Sequence, residues 1–151
     1  MTAKEYLNQF SDLKQKIQDN EDERKQLIAQ VASLSATDYS KDIVKSSPKQ
    51  YASFEDIVNM IMQYDEEIML DNAASIKLER QIKADIERLE DANERSVLRK
   101  YYIRSMSFKD IAKEMCYSYR HITRIHGKAL QNFSKLYGFP KDISALSKKD
   151  K

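Results

Sequence analysis

Apolar residues recur at alternating intervals of four and three along the first third of the chain. The stripe consists of Tyr6, Phe10, Leu13, Ile17, Leu27, Val31 and Leu34. Continued through its gap, the same spacing reaches Asn20 and Arg24, so the stripe is polar in its middle. Such spacing predicts a helix over about residues 3–34 whose narrow apolar edge needs a partner helix. Thr2-Ala3-Lys4-Glu5 is a capping box that can begin it.

A second stripe with the same spacing follows a polar stretch. Residues 35–52 are rich in Ser, Asp and Lys and contain Pro48, which predicts a loop. Ser53-Phe54-Glu55-Asp56 can then cap a helix over about residues 53–90. Its stripe is interrupted by Asp71 and Asp85 and comprises Phe54, Ile57, Ile61, Tyr64, Ile68, Ser75, Leu78, Ile82 and Leu89.

Neither long helix can bury its stripe alone. An antiparallel, coiled-coil-like hairpin over residues 1–90 satisfies both helices within one chain. A coiled-coil dimer is the alternative, and dimerisation through the hairpin can also add to it.

Residues 91–138 change to short amphipathic segments, which predict three helices. Asp91 and Ser107 can cap the first two, whose apolar residues are Val97, Leu98, Tyr101 and Tyr102, then Phe108, Ile111, Ala112 and Met115. Ser118 can cap the third, with the stripe Ile122, Ile125, Ala129, Phe133 and Leu136, and Gly138 and Pro140 end it. The predicted fold is therefore all-α: a long helical hairpin, a three-helix domain, and a basic flexible tail over 139–151.

The gap of about three residues between the last two helices is typical of a helix-turn-helix. The second helix of that motif packs one side on its domain and presents the other to the DNA major groove. Opposite the apolar stripe of the third helix, steps of three and four residues connect Tyr119 with Thr123, and Arg120 with Arg124, Gly127, Lys128 and Gln131. This pattern predicts a DNA-binding face on that helix.

Charge separates the two halves of the chain. Residues 1–90 carry 12 Lys/Arg against 18 Asp/Glu, whereas residues 91–151 carry 14 against 6. A basic module beside an acidic scaffold favours a polyanionic ligand, although an uneven solvated surface explains the same counts.

The rest of the composition excludes other classes. No window is apolar enough for a membrane span, and the start has no signal-peptide core. A single cysteine, Cys116, fits a cytoplasmic protein. No acid pair, nucleophile with base, phosphate loop or metal-ligand cluster is visible, so we expect neither an enzyme nor a cofactor nor a metal.

Individual residues leave alternatives open. Gly127 can admit a close DNA backbone, or can relieve crowding or weaken the helix. His121 and His126 can contact phosphate or can be ordinary surface or half-buried side chains. Cys116 is expected to be a small packing residue in the turn.

The stretch "ERSVLRKYYIRSMSFKDIAKEMCYSYRHITRIHGKALQNF" resembles the −35-reading domain, region four, of bacterial sigma factors. The resemblance is carried by Arg-x-Val-Leu, Ser-Phe-x-Asp-Ile-Ala, Ser118 with Ile122, and Ala129-Leu130. With "AKEYL" and "SFEDIV", the chain is also similar over most of residues 3–137 to the ArpU-type and RinA-type late-transcription regulators of Gram-positive phages. Many sigma-like turns carry Gly where this chain has Cys116, which places a non-Gly residue in an unfavourable backbone geometry.

The resemblance implies a regulator, encoded by a phage or prophage, that binds late-gene promoters. It implies a recognition helix over 118–131, here Ser118, Tyr119, Arg120, Thr123, Arg124, Gly127 and Lys128, with DNA-backbone contacts from Arg104, Lys109 and His121. Nothing matches the sigma regions that melt DNA, so an accessory regulator is expected rather than an autonomous sigma factor.

Two other functions are hypotheses. The first is an adaptor that docks on RNA polymerase or another regulator through the acidic hairpin. The second is a DNA-packaging subunit of small-terminase type. The expected partners are double-stranded DNA, RNA polymerase and a second copy of the chain, without a membrane.

Overall fold

The structure, a computed structural model, describes residues 1–37 and 53–140, and every regular element in these ranges is helical. The elements are α1 (Ala3–Thr37), α2 (Phe54–Glu87), α3 (Ala92–Leu98) with a π-helical turn (Arg99–Ile103), α4 (Phe108–Met115) and α5 (Tyr119–Tyr137). The all-α prediction is confirmed. Most of the predicted loop, 38–52, and most of the tail, 141–151, lie outside the described residues.

Each predicted helix start carries its cap. In the first box, Glu5 N donates to Thr2 Oγ1 at 3.2 Å and Thr2 N donates to Glu5 Oε2 at 2.7 Å. Ser53 and Asp56 repeat this exchange at the start of α2. Asp91, Ser107 and Ser118 cap α3, α4 and α5 in turn. Since each cap satisfies a backbone donor that a helix start leaves unpaired, these residues fix where the helices begin.

The chain divides into two compact units, and the division does not fall near residue 90. One unit is Lys14–Ala74, and the other joins Met1–Leu13 to the chain from Ser75 onward. The long helices therefore contribute their paired ends to the unit that contains the three short helices. Apolar residues of the three-helix region share one buried cluster with residues from these ends of α1 and α2.

The core of the second unit shows this sharing. Leu7 of α1, Ile82 of α2 and Phe133 of α5 are fully buried in one cluster. Ala3, Phe10, Ile86, Leu89, Leu98, Tyr102 and Ala129 complete it. Leu7 was absent from the sequence stripe, whereas Leu13 of that stripe is only half-buried.

The unit Lys14–Ala74 is an antiparallel helix pair. Lys16 Nζ lies 2.7 Å from Asp71 Oδ2, Asn20 Nδ2 donates to Glu67 Oε2 at 3.4 Å, and Arg24 pairs with Asp65. Residues later in α1 pair with residues earlier in α2, as an antiparallel hairpin requires. The polar middle of the first stripe thus faces acidic residues of α2, which agrees with the predicted hairpin.

The first short helix ends differently from a regular helix. Arg104 N donates to Arg99 O at 3.1 Å, a π-type bond, and Met106 N donates to Lys100 O at 3.0 Å. Ser105 follows with φ of 53°. The turn leaves Tyr102 buried at 1% exposure, and π-helical turns occur frequently at functional sites.

Candidate nucleic-acid interface

A tight turn connects α4 to α5. Tyr117 N donates to Ala112 O at 3.0 Å and Cys116 N donates to Lys113 O at 3.3 Å, the pair of bonds that defines a Schellman motif. Cys116 is left-handed, with φ of 57° and ψ of 39°. The unfavourable turn geometry expected there is therefore present, but the expected packing role is wrong, because Cys116 is exposed.

Ser118 ends the turn and begins α5. Its Oγ accepts a hydrogen bond from His121 N at 3.1 Å. The hydroxyl therefore fixes the start of the candidate recognition helix, a structural role that it can combine with a DNA contact.

The inner face of α5 packs as the stripe predicted, except at its end. Ile122, Ala129 and Phe133 are fully buried, and Ile125 is half-buried. Leu136, predicted in the stripe, is 49% exposed, so this part of the prediction is wrong. Tyr137 turns inward instead because its hydroxyl donates to Asp85 O at 3.0 Å and lies 3.2 Å from Asp85 Oδ1.

The outer face of α5 presents most of the predicted site residues. Tyr119, Arg120, Arg124, Gly127 and Lys128 are exposed. Within residues 1–37 and 53–140, no carboxylate forms an ion pair with Arg120 or Arg124. Four residues apart on one helix, the two guanidinium groups are neighbours on the same face.

Gly127 faces open space. A Cβ atom placed on it would meet no heavy atom within 4 Å. Relief of crowding inside the protein therefore does not explain this glycine, and a closely approaching ligand remains a candidate reason.

Thr123 differs from the other residues of the predicted set. It is half-buried, and its hydroxyl donates to Arg120 O at 2.9 Å. The hydroxyl proton is thus used within the helix, which leaves the methyl group and the oxygen lone pairs for contact with a ligand.

A buried carboxylate behind α5 was missed by the sequence analysis. Glu94 is 3% exposed, and both its carboxylate oxygens accept from Asn132 Nδ2 at 2.9 Å. Its Oε1 lies 3.9 Å from Lys128 Nζ, so Lys128 faces a negative charge on its own domain. The position three residues after Asp91 is typical of a capping box, and that local pattern hid the contact with α5.

The three residues predicted to contact the DNA backbone are exposed on different elements. Arg104 Nη1 lies 3.2 Å from Glu114 Oε1, and Lys100 Nζ lies 2.7 Å from the same oxygen. Hydrogen bonds from Lys100 and then Arg104 hold the pKa of Glu114 below its ordinary value. Lys109 extends from the first turn of α4, and the His121 ring packs edge-on against Tyr117 at 4.7 Å.

His126 belongs to the domain interior rather than to the outer face. Its ring lies 4.9 Å from that of Phe108 and 5.0 Å from that of Tyr101, and its Nε2 is 3.2 Å from the Tyr102 hydroxyl. Burial, with a smaller contribution from the charge of Lys4, lowers the pKa of His126 to about 4. The imidazole is therefore neutral at pH 7, which argues against a phosphate contact.

Other kinds of site are not supported in the described ranges. No helix there combines the length and the apolar content that a membrane crossing requires. Among the same residues, no group of three or more His, Cys, Asp or Glu side chains could hold a metal ion.

Comparison with known proteins gives a family match. No curated protein and no solved structure matches the chain. The family model described as "Protein of unknown function (DUF1492)" matches residues 33–133, which include α3, α4 and most of α5. Because this match covers more than half of the 151 residues, the chain belongs to the DUF1492 family.

Proposed function

We propose that the protein is a sequence-specific DNA-binding transcriptional regulator that uses α4 and α5 as a helix-turn-helix. The observation that supports this most directly is the pair Arg120 and Arg124, exposed on α5 opposite its buried stripe. Arginine can donate two hydrogen bonds to one guanine edge, and each good pair contributes about 1–3 kcal/mol of discrimination between bases. Phosphate contacts would come from Arg104, Lys109 and His121. Such contacts position a protein on DNA without reading its sequence.

The likeness to sigma region four and to phage late regulators extends this proposal. It favours a phage or prophage protein that acts at late-gene promoters and works together with RNA polymerase. A DNA-packaging subunit would use the same helix-turn-helix on a packaging site, so the identity of the bound site separates the two.

The test is selection of bound duplexes from a random pool at about 150 mM salt, followed by sequencing. We expect a defined motif for the wild-type chain and its loss in Arg120→Ala/Arg124→Ala. Lys113→Ala/Lys135→Ala removes the same charge from exposed positions of α4 and α5 and should keep the motif.

Failure of the wild-type chain to enrich any motif would reject sequence-specific binding. If the arginine variant loses the same factor of affinity for the selected duplex and for random DNA, these residues do not read bases and contribute only electrostatic binding. The symmetry of a recovered motif would also report whether one or two copies bind.

A protein-binding role of the hairpin is the second candidate, favoured by exposed apolar residues in the unit Lys14–Ala74. Met62, Met69 and Leu70 of α2 are 62%, 66% and 59% exposed. Clusters of exposed apolar side chains mark sites of protein association. The simplest partner for this exposed surface is a second copy of the chain. Sedimentation equilibrium of the wild type and of Met69→Lys would test self-association, and a monomeric wild type would contradict it.

A further inference from the structure

A groove of about 670 Å³ lies beside the short helices, lined by α2, α3 and the π-helical turn. Its cations are Lys83, Arg95, Arg99, Lys100 and Arg104, and its carboxylates are Glu79 and Glu87. None of the candidate recognition residues of α5 lines it. The groove is thus a second basic surface, separate from the helix face assigned to DNA.

The carboxylates hold the cations in place without using all their donors. Glu87 Oε1 lies 3.0 Å from Arg99 Nη1, and Glu87 Oε2 lies 3.9 Å from Arg95 Nε. Arg95 Nη1 also donates to Glu90 O at 2.9 Å and to Leu89 O at 2.5 Å, which fixes its guanidinium at the end of α2. A guanidinium has five N–H donors, so Arg99 in particular keeps donors available to a ligand.

The π-helical turn helps to build this surface. It follows α3 directly, so Arg95 and Arg99 are one turn apart while Lys100 and Arg104 continue the basic side beyond them. Lys100 and Arg104 share Glu114 of α4, which leaves one of their two charges without a carboxylate of its own. The described groove therefore has more positive than negative charge, although every cation in it is oriented by an acidic group or a carbonyl.

We infer that this groove binds an acidic segment of a partner protein, with carboxylates spaced along one side of a helix. Glu79, Glu87 and Glu114 are 32%, 49% and 41% exposed at their side chains. A DNA backbone carries a negative charge on every nucleotide, so a duplex along this groove would place some of its phosphates against Glu79 and Glu87. A peptide can instead place its carboxylates against the arginines of the groove and its neutral residues against the glutamates of the groove. This difference favours a protein ligand over DNA.

This inference does not depend on sequence reading by α5, and its test can separate the two. The probe is an alanine-based peptide of about 18 residues with Glu at every fourth position, which lie on one helix face. Its twin carries Gln at the same positions. Binding to the full chain is measured by fluorescence anisotropy, and the site is mapped by amide chemical shifts in two-dimensional NMR.

We expect the Glu peptide to bind, the Gln peptide to bind more weakly, and the shifts to centre on Arg95–Arg104 rather than on Tyr119–Lys128. Lys83→Gln/Arg99→Gln should weaken Glu-peptide binding about fivefold, the effect of losing two partly exposed charge pairs. The control Lys77→Gln/Lys135→Gln removes equal charge from exposed positions outside the groove and should bind as wild type. Arg104 is left intact because it is also a candidate DNA contact.

Three results would overturn the inference. These are equal binding of the two peptides, shifts confined to Tyr119–Lys128, and equal weakening in the groove and control variants. Loss of duplex DNA binding in Lys83→Gln/Arg99→Gln, with peptide binding retained, would assign the groove to the DNA footprint instead.

Discussion

At the scale of single residues, the positions that differ from ordinary helix chemistry are Cys116, Glu94 and His126. Cys116 adopts a backbone conformation that favours glycine, Glu94 is a buried carboxylate, and His126 is a half-buried imidazole whose pKa burial lowers. Each has a cost in free energy that neighbouring contacts offset. These costs make their effects on stability measurable.

Replacing Cys116 by glycine should stabilise the protein. A residue with a Cβ atom in the left-handed region costs roughly 1–2 kcal/mol, whereas glycine loses about 0.5–1 kcal/mol more entropy on folding. We expect a gain of about 0.5–1 kcal/mol in the free energy of unfolding, measured by urea denaturation with circular dichroism. Cys116→Ala keeps the Cβ atom and is the control. An equal gain in both variants would show that the thiol, and not the backbone, is unfavourable.

His126 should make stability depend on pH. Its pKa is about 4 in the folded chain, below the ordinary value of about 6.5 expected in the unfolded chain. Well above pH 6.5 both states hold the ring neutral. As the pH falls from 6.5 towards 4, only the unfolded state takes up the proton, so the free energy of unfolding decreases.

The decrease should reach about 2 kcal/mol at pH 5 relative to pH 7. His126→Phe keeps an aromatic ring among Tyr101, Tyr102 and Phe108 and should remove this part of the dependence. His121→Gln, at an exposed position, should not. Identical pH profiles for His126→Phe and wild type would contradict the assignment.

At the scale of elements, helix starts follow from sequence, and so does the end of α5 at Gly138, which is left-handed with φ of 69° as a C-cap glycine requires. The end of α3 does not follow from sequence. Four of the five polar caps were readable because a Ser, Thr or Asp and an acid three residues later form a local pattern. Ser118 lacks that acid and was readable because Ser is a preferred N-cap residue. The π-helical turn after α3 was not readable, because the bonds Arg104 N to Arg99 O and Met106 N to Lys100 O depend on how the segment packs. The predicted burial of Leu136 was wrong for the same reason. Periodicity placed this residue on the inner face, but the hydrogen bond from the Tyr137 hydroxyl to Asp85 O decides which face of the last turn is buried.

Ser118 allows the stability and binding roles of one helix start to be separated. Ser118→Ala should cost about 1 kcal/mol of stability, because His121 N loses its acceptor. Ser118→Asp keeps a capping oxygen and places a negative charge near the helix N-terminus, so stability should be retained. If α5 enters DNA, that charge should weaken duplex binding on the order of tenfold.

Denaturation and anisotropy with a selected duplex measure the two effects. Ser53→Asp makes the same change at the start of α2 and should alter neither. Wild-type DNA affinity in Ser118→Asp would place the DNA elsewhere than at the start of α5.

At the scale of the whole molecule, the two compact units differ in their cores. Within Lys14–Ala74, the buried hydrophobic residues among those described are Ile17 and Ile57, whereas the other unit buries a large aromatic and aliphatic cluster. The sequence indicated the hairpin, the helix-turn-helix and the outer residues of α5. It did not indicate that Leu7 and Ile82 complete the core of the short helices. Both long helices have apolar stripes of the same spacing, and that spacing does not reveal which element packs against each part of a stripe.

Amide hydrogen exchange should report this difference. We expect faster exchange in residues 14–34 and 54–74 than in α5 and the adjacent part of α2, because local stability follows buried apolar contacts. The measurement is peptide-level exchange followed by mass spectrometry. Equal protection in both units would contradict the expected difference in local stability. Protection of residues 54–74 that rises with protein concentration would indicate self-association.

The exposed Cys116 has a practical consequence. It is the single cysteine of the chain, and it lies in the turn immediately before the candidate recognition helix. A thiol-specific reagent therefore attaches at one position without prior mutagenesis. If the protein binds DNA as proposed, an iron chelate tethered at that thiol would cleave the DNA at nucleotides that report the orientation of the domain. The cleavage pattern would then distinguish one bound copy from two.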